Sequence, residues 1–507
     1  MSTSDYIIVG AGSAGALLAA RLTEDPNCSV LLLEAGPDYR AADTPKEFRD
    51  RTKGLGLALE PPRNDLNPEF YWHGTTATRA RGQEPFQYRR GRGLGGSSTV
   101  NGLYAIRGVE DDFRNWEGLG APGWGPEEML RAYCEIENDL DFGHESYHGT
   151  RGPTPIYREP DSGWGGVDRA VMEAAMAAGY PWHPDHNAPG ATGVSPTAMN
   201  IRDGLRVSTN HAYLEPARQR PNLRIMGDVL VDRVLFDGDR ATGVRTADGQ
   251  SYYAAREVIV SAGSTSTPAI LMRSGIGPAE ELVPHGIDVR ADLPVGRSAQ
   301  DHPVTFVEVP VVPEAQQSTA HRPTNIVVRY TSGLARENDM MLMATNHNYW
   351  FGRDTAGIAI ALQAPESLGT MTLRSTDPYD EPHFDLNFLS DRRDLDRMRD
   401  GLRRARALMD HDAFARIATG EPTWPQDDAE IMASVKDTMH MTSTARMGEA
   451  TDPAAVVDTD CRVHGLRDLR VVDASIFPRV PSANTYLTVL AVAEHAAGKI
   501  LGVDAGA

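Results

Sequence analysis

Cysteine is scarce: Cys28, Cys134 and Cys461 are the only three in 507 residues. They are too few and too scattered for a disulfide framework or a zinc cluster, so no metal site is expected. Positive charge is also in deficit, with 50 Lys and Arg against 70 Asp and Glu, a net charge of −20. That balance excludes nucleic acid and anionic membranes as expected partners, because both call for a basic face. No apolar run approaches the roughly twenty residues that span a bilayer. The first strand is under way by Asp5, which leaves no room for a signal peptide's charged and apolar regions. Repeats and low-complexity tracts are absent. A soluble protein in a reducing, cytoplasmic setting is the expectation, with length for two to four domains.

What is present begins at once. Asp5-Tyr6-Ile7-Ile8-Val9 reads as a buried strand, Gly10-Ala11-Gly12-Ser13-Ala14-Gly15 matches G-x-G-x-x-G, and Ala16 to Leu22 continues at helical spacing. Val30-Leu31-Leu32-Leu33 then ends at Glu34, nineteen residues beyond Gly15. Glycines let the backbone approach a pyrophosphate, the helix N-terminus receives its charge, and the acid accepts ribose hydroxyls. A glycine turn alone would say little; strand, helix and acid at these offsets specify a dinucleotide site. Glu34 disfavours a 2′-phosphate, so FAD or NAD is expected rather than NADP.

Pro37 to Glu84 is a long irregular excursion, of the kind that covers a ligand or carries function. Leu223 to Val244, broken by Asp237-Gly238, reads as a hairpin. Glu257 to Gly263 is a buried strand leading to a helix near Thr267-Pro268. Val304 to Ala364 looks like antiparallel sheet, Arg392 to Met409 like an amphipathic helix whose arginines form a solvated face. Leu469 to Val472 and Leu487 to Ile500 read as a last strand and helix. Nucleotide-type segments thus sit at both ends, with a sheet-rich region between.

Three further segments carry a family likeness. Gly91 to Asn101, with its Gly95-Gly96-Ser97-Ser98 core, resembles the first signature of the glucose-methanol-choline (GMC) oxidoreductases. Gly263 to Gly277 resembles the second, and Val472 to Ser475 with Pro481 to Thr485 resembles the C-terminal block. His148-Gly149 with Gly152-Pro153, Asp301-His302-Pro303, and Asp377-Pro378 are lesser echoes; Arg114 departs from the first signature at a surface position. The resemblance implies an α/β (α+β) fold in which a Rossmann-like FAD-binding domain (1–158, 199–300 and 437–507) carries an inserted sheet-rich substrate domain (159–198 and 301–436). It assigns FAD contacts to Gly10, Gly12, Ser13, Ala14, Gly15, Glu34 and Ala35, and to Gly91, Leu94, Gly95, Ser98, Asn101 and Gly102. Further contacts fall to Val229, Ala262 and Gly263, and to Asp473, Ala474 and Thr485. Relatives that bind flavin covalently use a histidine two residues after the serine pair. Val100 stands there and has no nucleophilic atom, so the FAD is expected to be noncovalent.

Oxidising an alcohol needs a base for the hydroxyl proton and an acceptor for the hydride. His440, in His440-Met441-Thr442-Ser443, resembles the family's catalytic histidine segment, and an imidazole pKa of about 6.5 suits the task. The second catalytic position is Asn484, which cannot act as a base and is expected to hold the substrate oxygen. His464 and His495 match no motif and are expected to be structural, as are Met441 and Met447. The expected reaction is oxidation of a small aromatic or heteroaromatic primary alcohol, such as pyridoxine, hydroxymethylfurfural or a benzyl alcohol, with O2 reduced to H2O2. A choline-type or aliphatic alcohol dehydrogenase with another acceptor is the alternative; a non-redox hydroxynitrile lyase is the remote one. A choline-type cation would call for an aromatic cage with a carboxylate; Tyr71 with Trp72, and Tyr349-Trp350-Phe351, are equally readable as core.

Overall fold

The computed structural model describes residues 3–49, 67–318, 322–347 and 355–502; Tyr349, Trp350 and Phe351 lie outside them. The opening apolar run becomes a central strand, Ser4–Val9, flanked in parallel by Val30–Leu33 and by the C-terminal half of Ser251–Val260. Leu223–Met226 and Leu469–Val471 extend this sheet on its two sides, also in parallel. Helix Ser13–Leu22 crosses between the first two strands, and the C-terminal helix Thr485–Leu501 packs against it. Both chain ends therefore build one nucleotide-binding layer, as parallel sheets with helical crossovers do.

The hairpin is narrower than its sequence suggests. Val231–Asp237 pairs antiparallel with Arg240–Thr246 around Gly238. Leu223–Met226 is no part of it, because it pairs in parallel with Val30–Leu33 instead.

A second sheet has the order Val304–Val309, Ala356–Leu362, Met340–Thr345, Ile326–Tyr330, Gly193–Pro196, with every pair antiparallel. All five strands fall within 159–198 and 301–436. Helices cover one face and the other lines a cavity, so side chains of both faces are withdrawn from the surface and the sequence is nearly continuously apolar. Val307, Val309, Leu342, Ile358 and Ile360 join the main core, where helices Gly166–Ala177 and Arg392–Met409 pack. Alternation along each strand turns Val304, Phe306, Met341, Met343, Ala359 and Ala361 to the other side, towards a cavity. In Ala356–Leu362 the cavity side takes alanine and the helix side isoleucine, so space is left only where a ligand needs it.

Helix Arg392–Met409 is not purely solvated along its arginines. Arg397 is fully buried, donating to Asp394 at 2.6 Å and to the Ala364 carbonyl at 2.8 Å. Burying the pair together avoids the cost of a lone buried charge. Among the described residues no helix is long and apolar enough to cross a membrane, and all three cysteines are free thiols.

Candidate active site

The cavity runs from the glycine turn of the first sheet to the open face of the second. At the first end Gly10, with φ of 99°, makes a turn that a side chain would strain, and a Cβ on Gly15 would lie 1.9 Å from the Gly10 carbonyl oxygen. These two glycines let the helix sit tightly on the strand. Gly12 has a different job. A Cβ there meets no atom within 4 Å, so the space in front of it is open. No side chain caps helix Ser13–Leu22 at Gly12, leaving its first N–H groups towards that space, where a pyrophosphate would be held.

Glu34 is buried, and burial pushes its carboxyl pKa up. It accepts from Ala11 N at 2.8 Å, Gly36 N at 2.9 Å and Gly93 N at 3.0 Å. Its carboxylate thus ties together three loops around the site and keeps one acceptor direction for a ribose hydroxyl. Asp473 performs a similar service from the C-terminal block, accepting from Gly263 N at 2.9 Å and Thr267 Oγ1 at 2.6 Å. The donors and glycines around this end fit the ADP half of FAD.

Most residues assigned from sequence line the cavity: Gly10, Gly12, Ser13, Ala14, Glu34 and Ala35; Gly91, Ser98, Asn101 and Gly102; Val229, Ala262 and Gly263; His440, Asp473, Ala474, Asn484 and Thr485. Gly15, Leu94 and Gly95 stand behind the wall. Gly95 N donates to the Ala11 carbonyl at 2.9 Å, and the Leu94 carbonyl accepts from Tyr39 Oη at 2.6 Å. Their contribution is to hold the two glycine-rich loops together.

At the other end His440 and Asn484 meet, with Asn484 Nδ2 3.2 Å from His440 Nε2. Asn484 is the N-cap of the last helix, yet its side chain makes no cap hydrogen bond and is free to face the histidine. On the far edge of the ring, His440 Nδ1 lies 3.0 Å from His302 Nδ1 and 2.9 Å from Thr438 Oγ1. His302 Nε2 is 2.9 Å from the Pro481 carbonyl, which can only accept, so that nitrogen carries the hydrogen. Burial pushes the His302 pKa down to about 4, so the ring is neutral and its Nδ1 is bare. Two bare nitrogens cannot share a hydrogen bond, so His440 Nδ1 must donate. Burial, the His302 ring and Arg90 also hold the His440 pKa well below its ordinary value. The ring is neutral, and Nε2, facing the cavity, carries no hydrogen; its lone pair accepts from Asn484 Nδ2.

Asp301 anchors this arrangement. Its Oδ1 accepts from His302 N at 2.7 Å and His440 N at 2.9 Å, and its Oδ2 from Tyr88 Oη at 2.6 Å. Tyr88 Oη in turn accepts from Met441 N at 3.1 Å. Sequence reasoning left Tyr88, Asp301, His302 and Thr438 without a role; Asp301-His302-Pro303 was the one available signal. His464 and His495 are structural, with Nε2 on the Gly448 and Gly123 carbonyls. Met441 and Met447 are buried packing residues.

A neutral imidazole with one unprotonated nitrogen beside an amide donor, at the end of a dinucleotide-type cavity, is an arrangement that suits a flavin-dependent alcohol oxidoreductase. The chain belongs to the GMC oxidoreductase family, whose description matches residues 4–304 and again 365–493. It is an FAD-dependent enzyme of the alcohol oxidase and dehydrogenase kind, acting on CH–OH donors. The 5-(hydroxymethyl)furfural oxidase of Methylovorus sp. (strain MP688) is 37% identical over 98% of both chains. Human mitochondrial choline dehydrogenase is 34% identical over 99% of this chain and 90% of its own. The crystal structure of pyridoxine 4-oxidase from Mesorbium loti superposes with a TM-score of 0.88 at 30% identity, covering 99% of each chain.

Proposed function

We propose that this enzyme oxidises a small, neutral aromatic or heteroaromatic primary alcohol to its aldehyde and passes the electrons to O2, giving H2O2. The observation that carries the substrate class is the cavity face of the second sheet. Val304, Phe306, Met341, Met343, Ala359 and Ala361 form an apolar wall, with Thr324, Thr345 and Gln363 as its polar members. Among the described residues this wall offers no charged side chain to a quaternary ammonium. Elsewhere in the lining Glu381 accepts from Gly74 N and Thr75 N at 2.9 and 2.8 Å, and Asp437 pairs through Oδ1 with Arg79 at 2.7 Å, while its buried Oδ2 has no hydrogen-bond partner. In the Tyr71–Trp72 cluster, Tyr71 is buried against Phe48, with ring centroids 5.7 Å apart, and Trp72 reaches the cavity; Tyr349, Trp350 and Phe351 lie outside the described residues.

In this reading His440 Nε2 accepts the hydroxyl proton, and the Asn484 amide donates to the substrate oxygen as it gains alkoxide character. When bound, FAD supplies the hydride acceptor. The residues lining the first end of the cavity hold its ADP half. Val100 is buried against Phe48, Phe70 and Tyr71 and offers no atom for a covalent link, so the cofactor is noncovalent. Free Cys28, Cys134 and Cys461 suit a cytoplasmic location.

The test is anaerobic mixing of the FAD-loaded protein with hydroxymethylfurfural, benzyl alcohol, pyridoxine and choline, followed by air. Bleaching by an aromatic alcohol, with rapid recovery and peroxide in air, is the expected result. Bleaching by choline alone would overturn the substrate class, and slow recovery would overturn the oxidase assignment.

A further inference from the structure

His440 cannot keep accepting protons at Nε2 unless the charge it gains is relieved, and its Nδ1 side has two neighbours. One is the His302 ring, whose own Nε2 hydrogen is committed to the Pro481 carbonyl. Taking a second hydrogen would make His302 a buried cation, which its low pKa of about 4 disfavours. The other is Thr438 Oγ1, 2.9 Å from His440 Nδ1 and 3.1 Å from Asp301 Oδ1. A carboxylate oxygen only accepts, so the Thr438 hydroxyl donates to Asp301 while its oxygen shares the single His440 Nδ1 hydrogen with His302 Nδ1. The hydrogen bonds therefore run in one direction, from imidazole through hydroxyl to carboxylate.

We propose that Asp301, reached through Thr438, is the residue that holds the substrate's hydroxyl proton after His440 has taken it. The inference rests on His440 being the base. The O–H bond of the alcohol breaks as Nε2–H forms. Nδ1 then releases its hydrogen to Thr438 Oγ1, and Thr438 gives its own to Asp301. His440 ends neutral with hydrogen on Nε2, and Asp301 ends as a carboxylic acid. No electron is consumed in this step, since the hydride leaves separately. Burial and the neighbouring Asp437 push the Asp301 pKa up, which makes it a stronger proton acceptor than an ordinary carboxylate. The groups facing Asp301 are Asp437, itself paired with Arg79; Tyr88 and Arg90 on the adjoining loop; and His302 and His440, with Arg336 beyond His302.

Asp301 is a positioning residue as well, so loss of rate in Asp301→Asn is not sufficient evidence. The discriminating readout is infrared difference spectroscopy of the FAD-loaded protein before and after anaerobic reduction by its alcohol. The wild type is expected to gain the carbonyl stretch of a protonated carboxyl, and Asp301→Asn to lack it. Thr438→Val, which keeps the carboxylate and its backbone anchors, is expected to lack it too. It should also slow flavin reduction by about 10-fold, the equivalent of one pKa unit of base strength. An inflection in the pH profile of the reduction rate that titrates with Asp301 should vanish in both variants. A band that is absent from the wild type, or that persists in Asp301→Asn, would overturn the relay. His440→Ala with an undiminished reduction rate would instead overturn the base assignment beneath it.

Discussion

Two histidines, His440 and His148, are held in this molecule in opposite ways. His148 has Nδ1 2.6 Å from Glu137 and Nε2 2.8 Å from Asp185, with Asp139 also within 3.3 Å of its ring. Both nitrogens face carboxylates, so both carry hydrogen and the ring is an imidazolium. Burial opposes that charge, but the hydrogen bonds the ring donates to Asp185 and Glu137 prevail and raise its pKa. Arg107 and Arg158 complete the cluster on Glu137, Asp139 and Asp185. His440 is surrounded instead by a neutral imidazole, a hydroxyl and an amide, and has no carboxylate on its ring nitrogens. The lesson is that a carboxylate on each nitrogen makes a histidine a fixed cation. A base needs one nitrogen pinned and the other left bare.

His148→Ala should show the structural side of this contrast most strongly. It strands carboxylates in a buried cluster, and the expected loss is about 3–5 kcal/mol of stability, read from denaturant unfolding, with flavin reduction by the alcohol little changed. Asn484→Ala attacks the catalytic side: flavin reduction should slow by about 10²–10³ while the melting temperature holds. His302→Ala removes the acceptor that helps pin His440 Nδ1. One neutral hydrogen bond of about 1 kcal/mol predicts roughly a 5-fold slower reduction. The smallest effect is one of pH. The folded pKa of His148 lies above its unfolded value of about 6.5. Its stabilisation is therefore full below pH 6.5 or so and is lost as pH rises through the folded value. The stability gap between wild type and His148→Ala should narrow with rising pH; a widening gap would contradict the imidazolium.

The cofactor end was legible because its information is local. Strand, glycine turn, helix and acid lie within 34 residues, and each constrains the next. The strand-rich middle and the final strand and helix were legible for the same reason. What sequence reasoning missed depends on partners far apart along the chain. Leu223–Met226 looks like half of a hairpin until Val30–Leu33 is placed beside it. Arg397 looks solvated until the bend after strand Ala356–Leu362, which carries Ala364, covers it. At the active site, His302 meets His440 across 138 residues and Tyr88 meets Asp301 across 213. Motif resemblance singled out His440 and Asn484 as candidates, which the fold brings within 3.2 Å, but not the groups that fix which nitrogen of His440 is bare. Leu94 and Gly95 sit in a matching signature yet behind the cavity wall, a distinction that only packing reveals.

The most direct test of the account is the anaerobic half-reaction of His440→Ala, followed by stopped-flow absorbance with the alcohol that best bleaches the wild type. With FAD content and melting temperature unchanged, flavin reduction is predicted to slow by about 10²–10⁴. Reduction at a near-wild-type rate would contradict the assignment of His440 Nε2 as the base.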